Sequence, residues 1–332
     1  MNGRKILVLG AGGFIGGHLV KRLHEDGDTV VAVDIKAMPN WYQVYGQSID
    51  RFDASDKHAL AQLGEYHFDE VYNLAADMGG MGFIERHKLD CMLSVLTTTN
   101  VLLAANQYAW DRVTYASSAC VYPAYKQNHP SFIESLDLEL AEDDAYPAEP
   151  EDGYGWEKLF GERMHRHFRE DTKLETRVVR FHNIYGPHGT WDGGREKAPA
   201  ALCRKVARAK LTGTREVEVW GDGSQLRSFC YVDDAVDGIL KVGRGEYADP
   251  VNVGSAELVT VTRLLTIISE IADYVVEPKY IDGSLGVKGR SSDNALIRGV
   301  YGWEPSITLQ EGLMETYKWI EQQVANEMKR NG

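Results

Sequence analysis

Four consecutive apolar residues, Ile6-Leu7-Val8-Leu9, run without a break into Gly10-Ala11-Gly12-Gly13-Phe14-Ile15-Gly16-Gly17, and a helical pattern follows from His18 to about Asp26. A short continuous apolar run of this kind reads as a strand covered on both faces. Strand, glycine loop and helix in succession constrain the chain more than any other stretch, because they form the first half of a parallel βαβ unit. The second half is Thr29-Val30-Val31-Ala32-Val33, an apolar strand that ends in Asp34. Glycine lets backbone N–H groups approach a pyrophosphate closely, and a helix N-terminus adds partial positive charge there. Asp34 follows Gly10 by 24 residues, where a carboxylate accepts hydrogen bonds from a ribose diol and repels a 2′-phosphate. The expected cofactor is therefore NAD rather than NADP, with Gly10, Gly13, Phe14, Ile15, Gly16 and Asp34 as its contacts.

Further strands extend the pattern. Glu70-Val71-Tyr72-Asn73-Leu74-Ala75-Ala76 ends in small residues, which allow a flat cofactor to lie against the backbone at Ala75. Asp77-Met78-Gly79-Gly80-Met81-Gly82 follows at once. This second glycine cluster is denser than a dinucleotide requires, and it nominates Gly79 and Met81 as contacts for a sugar ring; a mobile loop is the competing reading. With 332 residues, 43% of them hydrophobic, the chain can bury a large core. The expected architecture is α/β: a Rossmann-like doubly wound parallel sheet over residues 1–185, and a smaller C-terminal substrate-binding lobe over 186–332. A crossover near 229–242 is expected to return the chain to the first domain. A net charge of −13 argues against nucleic acid or an anionic membrane as partner. Cys91, Cys120, Cys203 and Cys230 are widely spaced and lack zinc-ligand spacing, so they read as reduced thiols of a cytoplasmic protein without a bound metal. The N-terminus reads as neither signal peptide nor membrane span.

The chemistry is expected where Arg112-Val113-Thr114-Tyr115-Ala116 opens into Ser117-Ser118-Ala119-Cys120-Val121-Tyr122-Pro123, at the carboxyl edge of the sheet, where open α/β folds bind ligands. Downstream, Tyr154 and Lys158 stand at i and i+4, on one face of a helix. Ser118 can hydrogen-bond a substrate hydroxyl, and Tyr154 can take its proton as the carbon becomes a carbonyl. Lys158 is expected to lower the phenol pKa and to touch the nicotinamide ribose. His165 and His167 lie on a charged helix face and read as solvated.

The spacing Gly10-x-x-Gly13-x-x-Gly16 resembles the extended branch of the short-chain dehydrogenase/reductase superfamily, which modifies sugar nucleotides. That resemblance implies an adenine contact at Asp53 and a substrate contact at Asn183, within Arg180-Phe181-His182-Asn183-Ile184-Tyr185-Gly186-Pro187. It also implies that the long helical stretch 85–108 carries an asparagine bracing the active site and packs against a second copy in a homodimer. A sugar ketone acidifies the hydrogens on both neighbouring carbons, so three outcomes compete. Return of hydride to the opposite face is 4-epimerisation. Loss of water is 4,6-dehydration, but the relatives that do this read Thr-Asp-Glu-Val-Tyr at the strand end, and Ala119 stands here in place of their acid. The third outcome uses Cys120, which occupies the slot of the dehydratase base, to remove the proton from C5.

Three motifs taken together, Asn73 to Gly82, Ser117-Ser118-Ala119-Cys120 and Gly193-Gly194-Arg195-Glu196-Lys197, resemble the GDP-mannose 3,5-epimerase family. This implies that Cys120 and Lys197 are the acid/base pair, that Glu196 and Lys197 contact the substrate, and that Arg290 binds phosphate. A neighbouring cation favours a thiolate, which makes the pairing sensible. Arg227, in Gln225-Leu226-Arg227-Ser228-Phe229, and Lys288, in Gly286-Val287-Lys288-Gly289-Arg290, are further candidates for neutralising a diphosphate. The expected activity is conversion of GDP-mannose to GDP-L-galactose, with GDP-L-gulose as a further product. A 4-epimerase of another nucleotide sugar, UDP- or dTDP-linked, is the alternative. An NAD-sensing regulator is opposed by the presence of both Tyr154 and Lys158.

Overall fold

The computed structural model describes residues 3–130, 134, 139–150, 152–284 and 286–331. Seven parallel strands form the main sheet: β1 (Lys5–Leu9), β2 (Thr29–Val33), β3 (Gln47–Ile49), β4 (Glu70–Asn73), β5 (Arg112–Ser118), β6 (Glu175–Phe181) and β7 (Val251–Val253). Their spatial order is β7-β6-β5-β4-β1-β2-β3. The order reverses between β1 and β4, so the loops after these two strands part there and leave a crevice, the expected ligand position of a doubly wound sheet.

Alternation along the strands explains the two-sided burial. Ile6 and Val8 join one apolar cluster, with Leu19, Leu23 and Val179, while Leu7 and Leu9 join another, with Val101, Leu102 and Val113 on the opposite face. The first cluster continues into the C-terminal lobe through Leu264, Leu313 and Ile320. That lobe carries a small sheet ordered Leu258–Thr260, Leu226–Ser228, Gly289–Ser292 and Glu139–Leu140. Its last strand comes from the N-terminal half of the chain. A pair, Glu216–Trp220 with Glu277–Ile281, and the helices Ala198–Thr212, Val261–Ile271 and Leu309–Asn331 complete it.

The crossover is longer than expected. The helix Val232–Arg244 covers the first domain, and the chain then adds β7 to the edge of the main sheet, pairing Val251 with Val179 and Val253 with Phe181. A strand of three residues, one of them the polar Asn252, is too short to leave a periodic signal. The helix Lys88–Gln107 is long and apolar enough to cross a membrane, but Cys91, Thr98, Val101, Leu102 and Ala105 on it are buried against the protein.

A buried polar network fastens β5 to its neighbours. Arg180 on β6 donates through Nε and Nη2 to both oxygens of Glu162, at 2.8 and 2.7 Å, and Ser117 Oγ donates to the same carboxylate at 2.6 Å. Arg180 also donates to the Tyr122 hydroxyl and the Glu142 carbonyl, and Tyr122 donates to Asn252 on β7. A bidentate pair this enclosed survives because each charge is fully answered; removing one partner strands the other. Arg180→Met is expected to lower unfolding free energy by about 3–5 kcal/mol, whereas adding Glu162→Gln in the same chain recovers part of the loss. Denaturant unfolding of the single and double variants checks this.

Candidate functional site

The glycine loop sits where β1 meets the crevice. Gly10 has φ +80°, and a Cβ there would come within 2.9 Å of the Ala75 nitrogen, so the loops after β1 and β4 touch backbone to backbone. A Cβ on Gly16 would overlap the Gly10 carbonyl, which keeps the helix Phe14–Glu25 tight against the loop. That helix starts at Gly13 with no side-chain cap and no acid in its first turn, so its first N–H groups suit an anion. Phe14 packs beside Gly189, and Ile15 joins the core. Asp34 accepts from the N–H groups of Gly12 at 3.0 Å and Lys36 at 2.8 Å, which holds its carboxylate beside the loop with acceptor capacity to spare. Cradle, helix start and carboxylate together fit NAD. Asp53 lies at the next strand end, accepting from the backbone N–H and hydroxyl of Ser55, and Asn100 donates to the Ser55 carbonyl at 2.6 Å. The asparagine of the long helix thus braces the turn that carries Asp53, not the catalytic strand end.

At the end of β5, Ser118 Oγ accepts from the Cys120 N–H at 3.2 Å and caps a short turn, Ala119–Val121, in which Cys120 is buried. The helix Asp152–Asp171 crosses this turn so closely that a Cβ on Gly155 would overlap the Cys120 carbonyl oxygen. Tyr154, next along, therefore reaches Ser118 and shares an apolar pocket with Cys120, Cys91, Phe83 and Ile84. Burial, then the nearby Cys120 and Glu157, pushes the Tyr154 phenol well above its ordinary value, and the hydrogen bond with Ser118 pulls it back. Burial outweighs the lowering expected from Lys158. The ammonium lies 5.5 Å over the Tyr154 ring centre, 4.7 Å over that of Tyr115 and 3.6 Å from Glu157, so it serves several partners at once.

Three cationic side chains of the C-terminal half surround the thiol. Arg290 Nη1 donates to Cys120 Sγ at 3.8 Å, and Arg227 is its cross-strand neighbour. Burial pulls the Arg227 guanidinium down to about 10 and the Lys197 ammonium below the usual lysine value; Cys120 opposes both shifts. Gln127, which sequence reasoning missed, clips this corner together: it accepts from Arg290 Nε at 2.6 Å and donates to the carbonyls of Tyr122 and Pro123. Its side chain is buried in a five-residue helix that carries no periodic signal.

Other candidates take different duties. Lys288 keeps its side chain exposed and is held through its backbone, its N–H donating to Asn128 and its carbonyl accepting from the Leu226 N–H. Both Glu196 oxygens are engaged, with the Gly194 N–H at 2.7 Å and Arg204 at 2.6 Å, so its carboxylate braces the loop that carries Lys197. Asn183, with φ +46°, donates to the Ser228 carbonyl at 2.9 Å. Gly79 is buried against Phe83, and Met81 lines a cavity of about 290 Å³ with Asn128, Asp152 and Val287. The second glycine cluster serves the loop that carries Lys197: Gly80 donates to the Arg195 carbonyl at 3.0 Å, and a Cβ on it would lie 2.6 Å from the Glu196 carbonyl oxygen. Arg195 lies over the Phe83 ring at 3.8 Å and pairs with Asp77 at 2.5 Å. His165 is not solvated: it is fully buried, stacked on Tyr115 at 4.7 Å, and burial pulls it down to about 4. His167 is exposed beside Glu170, as expected.

The close crossing at Gly155 gives a sharp prediction. Gly155→Ala should destabilise the protein by about 1–3 kcal/mol, while the same change at the exposed helical Gly299, which has open space around it, should be neutral or stabilise by up to about 1 kcal/mol. Paired denaturation curves decide between opposite signs for one substitution.

Comparison with known proteins agrees with this geometry. Residues 6–254 match the model of the NAD dependent epimerase/dehydratase family. The chain is 42% identical over 326 residues to GDP-mannose 3,5-epimerase of Arabidopsis thaliana, covering 97% of this chain and 84% of that protein. It is 43% identical to GDP-mannose 3,5-epimerase 1 of Oryza sativa subsp. indica, covering 97% and 83%. Among solved structures, MoeE5 in complex with UDP-glucuronic acid and NAD superposes with a TM-score of 0.80 at 29% identity, covering 96% of this chain and 99% of that one. UDP-glucose 4-epimerase of Thermotoga maritima shares the fold, with a TM-score of 0.85 at 24% identity and coverage of 96% and 99%. The chain belongs to the NAD dependent epimerase/dehydratase family.

Proposed function

We propose that this chain is a GDP-mannose 3,5-epimerase, converting GDP-mannose to GDP-L-galactose, with GDP-L-gulose formed when C5 alone inverts. The observation that carries the reading is the meeting of a thiol and a desolvated lysine at the end of β5, Cys120 with Lys197, beside the Ser118–Tyr154 pair. A 4-epimerase needs only the second pair. Relatives matched over 97% of this chain are named for inversion at C3 and C5.

NAD, when bound, supplies the acceptor that takes hydride from C4 of the hexose and the donor that gives it back. The chain's residues then divide the proton work. Ser118 holds the C4 oxygen, and Tyr154 takes its proton, the positive charges of Lys158 and of bound NAD offsetting the burial that otherwise keeps the phenol protonated. The resulting ketone acidifies the hydrogens on C3 and C5. Cys120 removes a proton from one face of the ring and Lys197 returns one to the other, which inverts the carbon. A desolvated lysine, its pKa lowered by burial, gives up and takes back a proton more readily than a solvated one. Arg227 and Arg290 hold the diphosphate, and so fix the register of the sugar against the thiol.

The same reading includes a homodimer. The helix Lys88–Gln107 exposes Leu89, Met92, Leu93, Leu96 and Leu103, and the helix Asp152–Asp171, packed against it, exposes Trp156 and Phe160. A contiguous apolar face of this size calls for a cover, and a second copy of the two-helix face supplies one. Free, buried cysteines accord with a reducing, cytoplasmic setting.

Two outcomes follow. Incubated with GDP-mannose in deuterated water, the protein should place label at both C3 and C5; label at neither, with inversion at C4, would establish the 4-epimerase instead, and Cys120→Ala should abolish the uptake while NAD stays bound. Sedimentation velocity should find a dimer for the native chain and a monomer for Leu93→Glu combined with Leu96→Glu. A monomeric native chain removes the dimer.

A further inference from the structure

Glu157 takes no part in the proton work described above, yet its carboxylate is fully buried, at 0% exposed, one residue before Lys158. An enclosed carboxylate costs several kcal/mol unless it is answered. One of its oxygens accepts from the Tyr115 hydroxyl at 2.9 Å; the other lies 3.6 Å from Lys158 Nζ and has no closer partner. The same ammonium lies over the Tyr115 and Tyr154 rings. Tyr115 enters this space only because residue 161 is glycine: a Cβ there would come within 2.5 Å of the Tyr115 hydroxyl. Carboxylate, phenol ring and ammonium thus form a closed group on the floor of the site, built from β5 and the helix that carries Tyr154.

We infer that Glu157, held by Tyr115, is a positioning residue: it pins the Lys158 ammonium beneath Tyr154 and sets the charge against which that phenol ionises. The inference rests on the reading of Tyr154 and Lys158 as the pair that serves oxidation at C4. An ammonium between two rings and one carboxylate has a single resting place, whereas two rings alone leave it free to slide. The charged and titratable groups facing Glu157 are Tyr115 from β5, Cys91 from the helix Lys88–Gln107, and Tyr154 and Lys158 from its own helix. Of these, Lys158 answers its charge most strongly.

The sign of the consequence is fixed. A negative charge near a phenol opposes ionisation, and Glu157 is among the groups that raise Tyr154. Removing that charge while Lys158 remains lets the phenol ionise at lower pH, by roughly one pH unit. Tyr154 acts as a base on the C4 hydroxyl, so the acid limb of hydride transfer moves down with it. At the same time the loosened ammonium lowers the plateau rate by about tenfold.

The test compares the NAD-loaded native protein with Glu157→Gln and Glu157→Asp. One readout is the pH profile of nicotinamide reduction by GDP-mannose in a single turnover. The second needs no substrate: carbon-13 NMR titration of ring-labelled tyrosine, with Tyr154 assigned by Tyr154→Phe. Glu157→Gln should lower both the acid limb and the Tyr154 midpoint while bound NAD is unchanged; Glu157→Asp, which keeps the charge, should lower the plateau with the midpoint in place. An unmoved midpoint in Glu157→Gln, or equal shifts in both variants, overturns the inference. Should the glutamine variant fail to fold, a displaced midpoint in the aspartate variant overturns it alone. If the native protein reduces its nicotinamide with no nucleotide sugar, the proposed function falls, and the NMR titration still judges Glu157.

Discussion

One contact governs the site: the helix Asp152–Asp171 passes so near the turn after β5 that only hydrogen fits on Gly155, against the Cys120 carbonyl. A helix held this close brings its i+4 face onto the strand end, so Tyr154 and Lys158 arrive beside Ser118 and Cys120 without any loop having to fold over them. Gly161 repeats the device one and a half turns on, where Tyr115 slips in under the helix. The buried Arg180–Glu162 pair then ties the same helix to β6, with Ser117 hydrogen-bonded to the shared carboxylate. Position at the site is therefore set by backbone proximity and one ion pair, both of which resist small displacements more than surface contacts do.

The local electrostatics run against the whole. The protein carries a formal charge of −13, yet Lys197, Arg227 and Arg290 converge on one sulfur. An acidic exterior repels a nucleotide sugar at long range, but that field is screened within about a Debye length, roughly 8 Å in physiological salt. Three cations in a desolvated pocket act where screening is weak. The pocket thus decides binding, and the surface decides solubility.

Much of this was legible in the chain because it is written locally. The strand, glycine loop and helix from Ile6 to Asp34 form a pattern that short-range sterics enforce, and the structure places it at the β1/β4 reversal as expected. Ser118, Cys120 and Tyr154 also meet as read. What escaped depends on residues distant in sequence. His165 sits on a helix face dense with charge, and only the space opened at Gly161 and filled by Tyr115 explains its burial. Glu157 is buried only by the packing of its helix on β5, which no local pattern announces. The upward push on the Tyr154 phenol has the same origin: sequence shows a nearby lysine, but burial outweighs it, and burial is a property of the assembled pocket.

The division of labour between the two halves of the chain bears on how such a site is assembled. The groups proposed to serve C4, Ser118, Tyr154 and Lys158, all stand on the first domain, on one strand and one helix whose spacing the close contact at Gly155 holds fixed. Lys197 comes instead from a loop, and it is the residue from which the helix Ala198–Thr212 starts. A cation at a helix N-terminus is disfavoured by the helix dipole, so this placement acts in the same direction as burial and eases the loss of its proton. The loop is held in turn by backbone contact with Gly80 and by Arg195 on Phe83, features of the second glycine cluster. On the proposed reading, carbon-acid chemistry takes one strand-end cysteine and one docked loop in addition to the C4 site, and both lie outside the dinucleotide cradle. The second glycine cluster is the part of the first domain reshaped to receive that loop, which accounts for a density of glycine that NAD alone does not require.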